Sequence, residues 1–373
     1  MNFTCNKKII GARYYIEDTT RDLDGHGSHT TSIAVGNYVH RARFFGLAKG
    51  TASGEVLFAR IAAYKVCTAL GCDSSAILSA FGDAITDGVS IISISIGSSY
   101  QENIEEDPIP IGSFHAMAGG ILTVNSAVNN GPFPAYVSSV SPWILSVVAS
   151  TIDRRFIDKV VIGNEKILTG KPINSFSLNG KKFLIAKKNS EPDSEKCSKD
   201  SADICECLDS SLVEGNIVLC NGFSGYADYE GGKPIGSIIK DFDESFPPFV
   251  SPLLSLFLSA NDYDIFRSYT NSSKIPKAEI IKSETIEDPN APIVAEFSSR
   301  GPNTLVSEIM RPDLSAPGVD ILASFSQVVS PSDDGYDKRS VKYNIISRTS
   351  MSCPHVAGIA AYLKTFHFDW SPL

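Results

Sequence analysis

The stretch Asn344 to Gly358, NIISRTSMSCPHVAG, places a serine, Ser350, between Thr349 and Met351 just before a run of small and apolar residues. That run, MSCPHVAGIAAYLK, predicts a largely buried helix with Pro354 in its first turn, where a missing N–H costs little. A helix start carries unpaired backbone N–H groups and the positive end of the helix dipole, both favourable to an oxyanion. A serine hydroxyl is a weak nucleophile at neutral pH, so it needs a base in reach and donors for a tetrahedral oxyanion. His26, in Asp24-Gly25-His26-Gly27-Ser28-His29-Thr30, is the candidate base; glycines on either side leave its ring approachable, and HTTSIAVGNYV after it has a helical pattern. Asn129 is the candidate oxyanion donor: it follows the β-rich run Ile121-Leu122-Thr123-Val124, where a side-chain amide sits at a strand end.

Taken singly, each of these residues has a plainer role. Thr-Ser-Met at a helix start is an ordinary capping sequence, and Asn129 is an ordinary turn asparagine. His26 and His29 have the i, i+3 spacing of metal ligands, but neither an HExxH pattern nor a nearby third ligand accompanies them, so no metal is assigned. His29 and His355 read as packing or capping histidines. What reverses the plain reading of Ser350, His26 and Asn129 is their occurrence together.

DGHGSHT, SAVNNGP, SSRGP, PDLSAPGVDI and TSMSCPHVAG stand in the order found in subtilisin-like serine proteases, and the chain resembles the plant, cucumisin-like branch most. NFTCNKKIIGARYY at the start, GLAKGTASGEVLFARIAAYKVC at 46–67, DAITDGVSIISISIG at 83–97 and VEGNIVLC at 213–220 support it, so the resemblance covers nearly the whole chain. It implies a serine endopeptidase acting through an acyl-enzyme, with His26 as general base, Ser350 as nucleophile and Asn129 as oxyanion donor. It implies that Ser95-Ile96-Gly97 pairs with an extended substrate, with Ala127, Val128 and Arg348 at the substrate rim. Polypeptide is then the substrate and no cofactor is required.

Three positions depart from the family pattern. A subtilisin-type triad runs Asp, His, Ser along the chain, but only 25 residues precede His26, and Asp18, Asp22 and Asp24 lack the family's Asp-Ser/Thr-Gly context. The expectation is that Met1 lies inside a longer parent sequence, that the aspartate-bearing strand is missing and that activity is impaired. Arg348 and Val128 stand where the family has glycine. Val128 would narrow the primary specificity pocket, and Arg348 would block it or select an acidic residue. The alternative is a pseudoprotease or gene fragment acting as a binding module.

With 373 residues, 43% hydrophobic and 20% charged, the chain can bury a sizeable core. A net charge of −9 argues against general nucleic-acid affinity, and no window reads as a membrane span or signal peptide. From His26 to about Ser150, helical stretches alternate with buried strands such as Val89 to Ile96 and Ile121 to Val124. This is the pattern of an α/β parallel sheet. The resemblance makes it a subtilisin-like parallel sheet with helices on both faces. By the same resemblance, 1–154 and 291–373 are the two parts of the catalytic domain. The charged, lysine-rich 155–290 is then an inserted β-rich protease-associated domain linked to homo-oligomerisation or substrate access. The catalytic part is expected to resume with a strand in VAEFSSRGP, followed by the loop PDLSAPGVDI and a strand at Ile321 to Ser324. The expectation from the resemblance is that the family's C-terminal fibronectin-like domain is missing here, which would leave the isolated chain poorly soluble or partly unfolded. Cys67 and Cys72 flank a Gly71 turn and form a candidate disulfide; Cys197, Cys205, Cys207 and Cys220 allow three pairings, while Cys5 has no evident partner. These cysteines, the acceptor tripeptides Asn2-Phe3-Thr4 and Asn271-Ser272-Ser273, and the family suggest secretion to the cell wall or apoplast.

Overall fold

The computed structural model describes residues 5–98, 101–171, 173–187, 198–222, 232–242, 249–332, 334–335 and 337–372. Strand β1 (Ile9–Tyr14) pairs in parallel with β4 (Ile61–Lys65), and between them lie helix α1 (His26–Val35) and the hairpin of β2 (Val39–Phe44) and β3 (Leu47–Ala52). A small hairpin, β5 (Cys67–Thr68) and β6 (Gly71–Cys72), carries the Cys67–Cys72 disulfide. Helix α2 (Ser74–Thr86) starts at Asp73, whose carboxylate accepts from Ala76 N at 2.8 Å, and buries Ala76, Ile77, Ala80, Phe81 and Ala84 along one stripe. Strand β7 (Ile91–Ile94) is followed by α3 (Pro108–Ala118), capped by Asp107 with proline in its first turn, and then by β8 (Leu122–Ser126) and β9 (Ile144–Ser150).

After β9 the sheet chemistry changes. Strand β10 (Arg154–Ile162) pairs antiparallel with β11 (Ile167–Gly170), and β12 (Phe183–Leu184) lies at the far edge of the same sheet. The short helices α4 (Lys199–Asp203) and α5 (Ser210–Val213) precede a parallel sheet of β13 (Ile217–Cys220), β14 (Gly236–Lys240) and β15 (Ser255–Leu258), beside which packs α6 (Ala260–Ser272). Strand β16 (Lys277–Glu287) returns antiparallel along β10, with Arg154 opposite Glu287, so this region leaves and re-enters the rest of the chain at neighbouring points. Val160, Ile162, Ile238, Leu256, Phe266 and Ile280 belong to one buried cluster that serves both sheets. Cys205 is bonded to Cys220, and Cys207 is also in a disulfide; Cys197 and the Asn2 tripeptide lie outside the described residues. Cys5 is free and exposed.

The chain then adds β17 (Leu314–Pro317), β18 (Ile321–Ser324), β19 (Tyr343–Ile346) and the long helix α7 (Thr349–Phe366). The main sheet is all parallel, in the order β17-β9-β8-β7. Its two faces follow the two-residue period of strands: Leu122, Val124, Leu145 and Val147 pack toward Cys353, Val356 and Ala357 of α7, whereas Ile92, Ile94 and Ile144 join the cluster of α2 and α3. Helices on both faces of a parallel sheet are the expected α/β architecture. Three local expectations change. PDLSAP is not a loop, because Leu314 to Pro317 pair with Val147 to Ser150 at the sheet edge. VAEFSSRGP is not a strand: only a single bridge joins Val294 to Ser150, and the Ser298 and Ser299 hydroxyls take the backbone N–H groups of Ala149 and Asn130 instead. Pro354 is the sixth residue of α7, not in its first turn. No helix among the described residues is long and apolar enough to cross a membrane.

Candidate active site

Ser350 is the second residue of α7 and is 6% exposed. Its helix begins without a side-chain cap from Arg348; instead, Asn129 Oδ1 accepts both the Thr349 N–H, at 2.8 Å, and the Thr349 hydroxyl, at 3.0 Å. Two donors on one atom fix which end of the amide is the oxygen. With its oxygen engaged by Thr349, the residue before Ser350, the Asn129 amide keeps its Nδ2 as the end that can donate. This anchoring of Asn129 by Thr349 had no local signal in the sequence, since it joins residues 220 positions apart.

Pro354 has no N–H, so the carbonyl four residues back, that of Ser350, lacks its helical partner. The Ser95 hydroxyl fills that vacancy at 2.9 Å. Ser95 therefore holds the nucleophile turn through its side chain, a role the Ser95-Ile96-Gly97 motif alone did not reveal, although the interior proline was its signal. Cys353 lies at the centre of the α7 contact with the sheet; burial pushes its thiol up to about 11, which leaves it a small buried hydrophobe.

His26 opens α1. His29 lies within electrostatic reach of His355, and a Cβ on Gly358 would meet Ala34 O at 2.9 Å, so neighbouring positions advance in the same sense along the packed helices α1 and α7. The two helices thus run side by side in parallel, and the first turns that carry His26 and Ser350 lie at the same end. His29 is completely buried, with Nε2 at 3.2 Å from both Ile321 O and Asn344 O. Burial lowers its pKa to about 3, so it stays neutral and ties α1 to β18 and β19. His355 instead meets Glu55 at 2.6 Å on the rim. Gly25 adopts φ 94° and its backbone passes so close to Phe325 that a Cβ would sit 2.3 Å from the ring.

Of the carboxylates near His26, Asp22 is committed to the start of α1. Its two oxygens accept from Gly25 N at 2.8 Å, Asp24 N at 3.1 Å and Ser28 N at 2.7 Å. Burial alone would raise its pKa, but the hydrogen bonds from Ser28, Gly25 and Asp24 outweigh it and hold the carboxyl below its ordinary value. Asp24 accepts from His26 N at 3.2 Å, and Asp18 is exposed.

Of the residues expected at the substrate rim, Val128 and Gly97 lie against each other. Val128 adopts φ 65°, a left-handed conformation that a β-branched residue rarely occupies, and its Cγ1 is 2.4 Å from where a Cβ on Gly97 would stand. Ala127 is fully buried, Ile96 is half-buried, and Arg348 is exposed with an extended backbone.

The profile of the subtilase family, Peptidase_S8, matches residues 8–373. Subtilisin-like protease SBT4.4 of Arabidopsis thaliana is 51% identical over 378 residues, covering 100% of this chain and 51% of that protein. Subtilisin-like protease SBT4.13 of the same plant is 50% identical over 373 residues, covering 100% and 50%. The chain spans about half the length of these curated relatives. The solved structure of sphericase aligns at a TM-score of 0.46 with 18% identity, covering 98% of this chain and 73% of that one.

Proposed function

Because the chain belongs to the subtilase family, we propose that it carries the nucleophile, base and oxyanion donor of a serine endopeptidase. Ser350 Oγ attacks the scissile carbonyl carbon while His26 takes its proton. Asn129 Nδ2 and the open N–H groups of α7 hold the oxyanion, and collapse expels the amine, protonated by His26, to leave an acyl-serine that water then hydrolyses. The observation that carries this reading is the double hydrogen bond from Thr349 to Asn129 Oδ1, which presents the amide donor at the turn of the serine.

We place polypeptide between Ser95-Ile96-Gly97 and Ala127-Val128. Val128 against Gly97 takes up space that a larger substrate side chain would need, which favours a small residue there, and the exposed Arg348 guanidinium favours a neighbouring carboxylate. Residues 155–290 are read as an inserted protease-associated domain, supported by the pairing of β10 with β16 that brings its ends together. The Cys67–Cys72 and Cys205–Cys220 disulfides support an oxidising, secreted location.

The test is labelling of the folded chain by a fluorophosphonate probe. Labelling that disappears in Ser350→Ala and falls about 10²–10³-fold in Asn129→Ala is expected, the latter being the effect of losing one such donor in subtilisin, itself a member of this family. A folded sample that does not label would overturn the hydrolase reading and favour a binding module without cleavage.

A further inference from the structure

The β2–β3 hairpin has an unusual distribution of charge and backbone conformation. Two adjoining depressions share His40 and Arg41; Lys49 lines one, and Arg43 and Lys342 line the other with Phe45 and Tyr343. Among the described residues no carboxylate lines either depression, although the chain as a whole carries a net charge of −9. The Arg41, Arg43, Lys49 and Lys342 side chains are exposed and enter no ion pair among the described residues.

The backbone brings these cations together. Regular strand alternation would send His40 and Arg41 to opposite faces. The pairing of β2 with β3 instead shifts register between Val39 and Ala42 and again before Phe44, and Arg41 adopts φ 60°. Ala42 and Phe44 still point into the core, while His40, Arg41 and Arg43 all emerge at the groove. Phe45 and Ala48 also have left-handed φ, of 45° and 48°. Three such non-glycine residues in one short hairpin carry backbone strain of the kind that accumulates at functional sites.

We infer that this groove is a secondary binding site for an acidic, carboxylate-rich segment of a polypeptide, held by Arg41 and Arg43 with Lys49 and Lys342. Guanidinium forks match carboxylates two N–H groups at a time, and exposed Phe45 with Tyr343 offers apolar surface for the stems between them. The source follows from position. Tyr343 stands seven residues before Ser350 on the strand that leads into α7, so the groove wall is at most about 25 Å from the serine. A single extended peptide of about eight residues spans that distance. That segment is then part of the same polypeptide substrate that reaches Ser350; the inference rests on the protease reading only for this source, because binding needs neither Ser350 nor His26.

The experiment is titration of the Ser350→Ala chain, which cannot turn the ligand over, with a fluorescent twelve-residue oligoglutamate. Oligoglutamine serves as the neutral ligand and polygalacturonate as the acidic polysaccharide. The expected result is saturable oligoglutamate binding that weakens steeply with salt. It should be at least about tenfold weaker in Arg41→Gln/Arg43→Gln and unchanged in Lys274→Glu, an exposed lysine elsewhere. Binding that ignores Arg41 and Arg43, equals that of oligoglutamine, or appears with polygalacturonate but not oligoglutamate overturns the inference. Probe labelling of the wild-type chain reports separately on the hydrolase reading, so either can fail alone. Circular dichroism of the double variant shows whether it remains folded, and Arg41→Lys/Arg43→Lys, which keeps the charge, should recover part of the affinity.

Discussion

The helix that carries Ser350 and the helix that carries His26 run side by side in contrasting surroundings. From Thr349 to Gly358, α7 is buried at every position but His355, and it packs against all four strands of the main sheet. Helix α1 buries only His29, Ile33 and Val35, and the strands before and after it, β1 and β4, form a sheet of two. The connection β4–α2–β7 is of the kind that normally joins strands of one parallel sheet. Here β4 and β7 belong to different sheets, and β7 is an edge. Ser350 and Asn129 are therefore positioned by a closed core, whereas His26 is positioned mainly by the contacts of α1 with α7 and β18 and by the hydrogen bonds at the start of α1.

Glycine substitutions break this contrast most directly if it is false. A Cβ on Gly318, which joins β17 to β18, would sit 2.1 Å from Ser352 Oγ, 2.6 Å from Ala149 Cβ and 2.9 Å from Arg348 O. Those neighbours belong to the buried nucleophile side and have nowhere to move. Gly318→Ala should cost about 3 kcal/mol in denaturant unfolding and abolish probe labelling. On the histidine side, a Cβ on Gly11 of β1 meets only Ala62 Cβ, at 4.0 Å, so Gly11→Ala should stay within about 0.5 kcal/mol of the parent. Equal costs at the two sites would refute the difference in packing.

A smaller effect distinguishes the two sides by pH. Asp320 is buried behind the nucleophile turn: its N–H is held by the Ser347 hydroxyl at 2.9 Å, and its carboxylate accepts from Phe156 N at 3.3 Å. Burial raises its pKa to about 6, against the partial compensation of Phe156 N–H, Arg154 and Ser347. A carboxyl with a raised folded-state pKa favours the fold below its unfolded value near 4, and that contribution is lost as pH rises through about 6. Relative to the parent, Asp320→Asn should therefore gain on the order of 1–3 kcal/mol between pH 4 and pH 7. Urea melts across that range would show it, and a difference independent of pH would mean that Asp320 ionises freely.

Much of this site was legible because its chemistry is written in short contiguous motifs. Ser350 opens a small-residue helix, His26 opens α1 between two glycines and Asn129 follows β8, and the alternating pattern predicted the parallel sheet. What escaped was set by distant partners. Leu314 to Pro317 was expected as a loop, yet its one proline, Pro317, only ends an edge strand, where a missing donor is tolerated. Val294 looked like strand, yet its neighbours Ser298 and Ser299 pair through hydroxyls. Thr349 and Ser95, which orient Asn129 and the Ser350 carbonyl, carry no local mark at all, because each acts across more than 200 residues of chain.

A titratable effect smaller than that of Asp320 lies at the start of α1 and has the opposite pH signature. Asp22 ties three backbone N–H groups, two of them within the loop and one in the first turn, so replacing it leaves donors unpaired beside His26. Asp22→Ala should cost about 1 kcal/mol at neutral pH. Because its folded-state pKa is depressed, this contribution is present above its unfolded value near 4 and disappears as pH falls through the lower folded value, the reverse of Asp320. If α1 is held mainly by its cap and by α7, the variant should also slow probe labelling while leaving the nucleophile turn folded. A loss of stability without slower labelling would mean that His26 is positioned from α7 and β18 alone, and the contrast between the two helices would then rest on burial and not on how Ser350 and His26 are held.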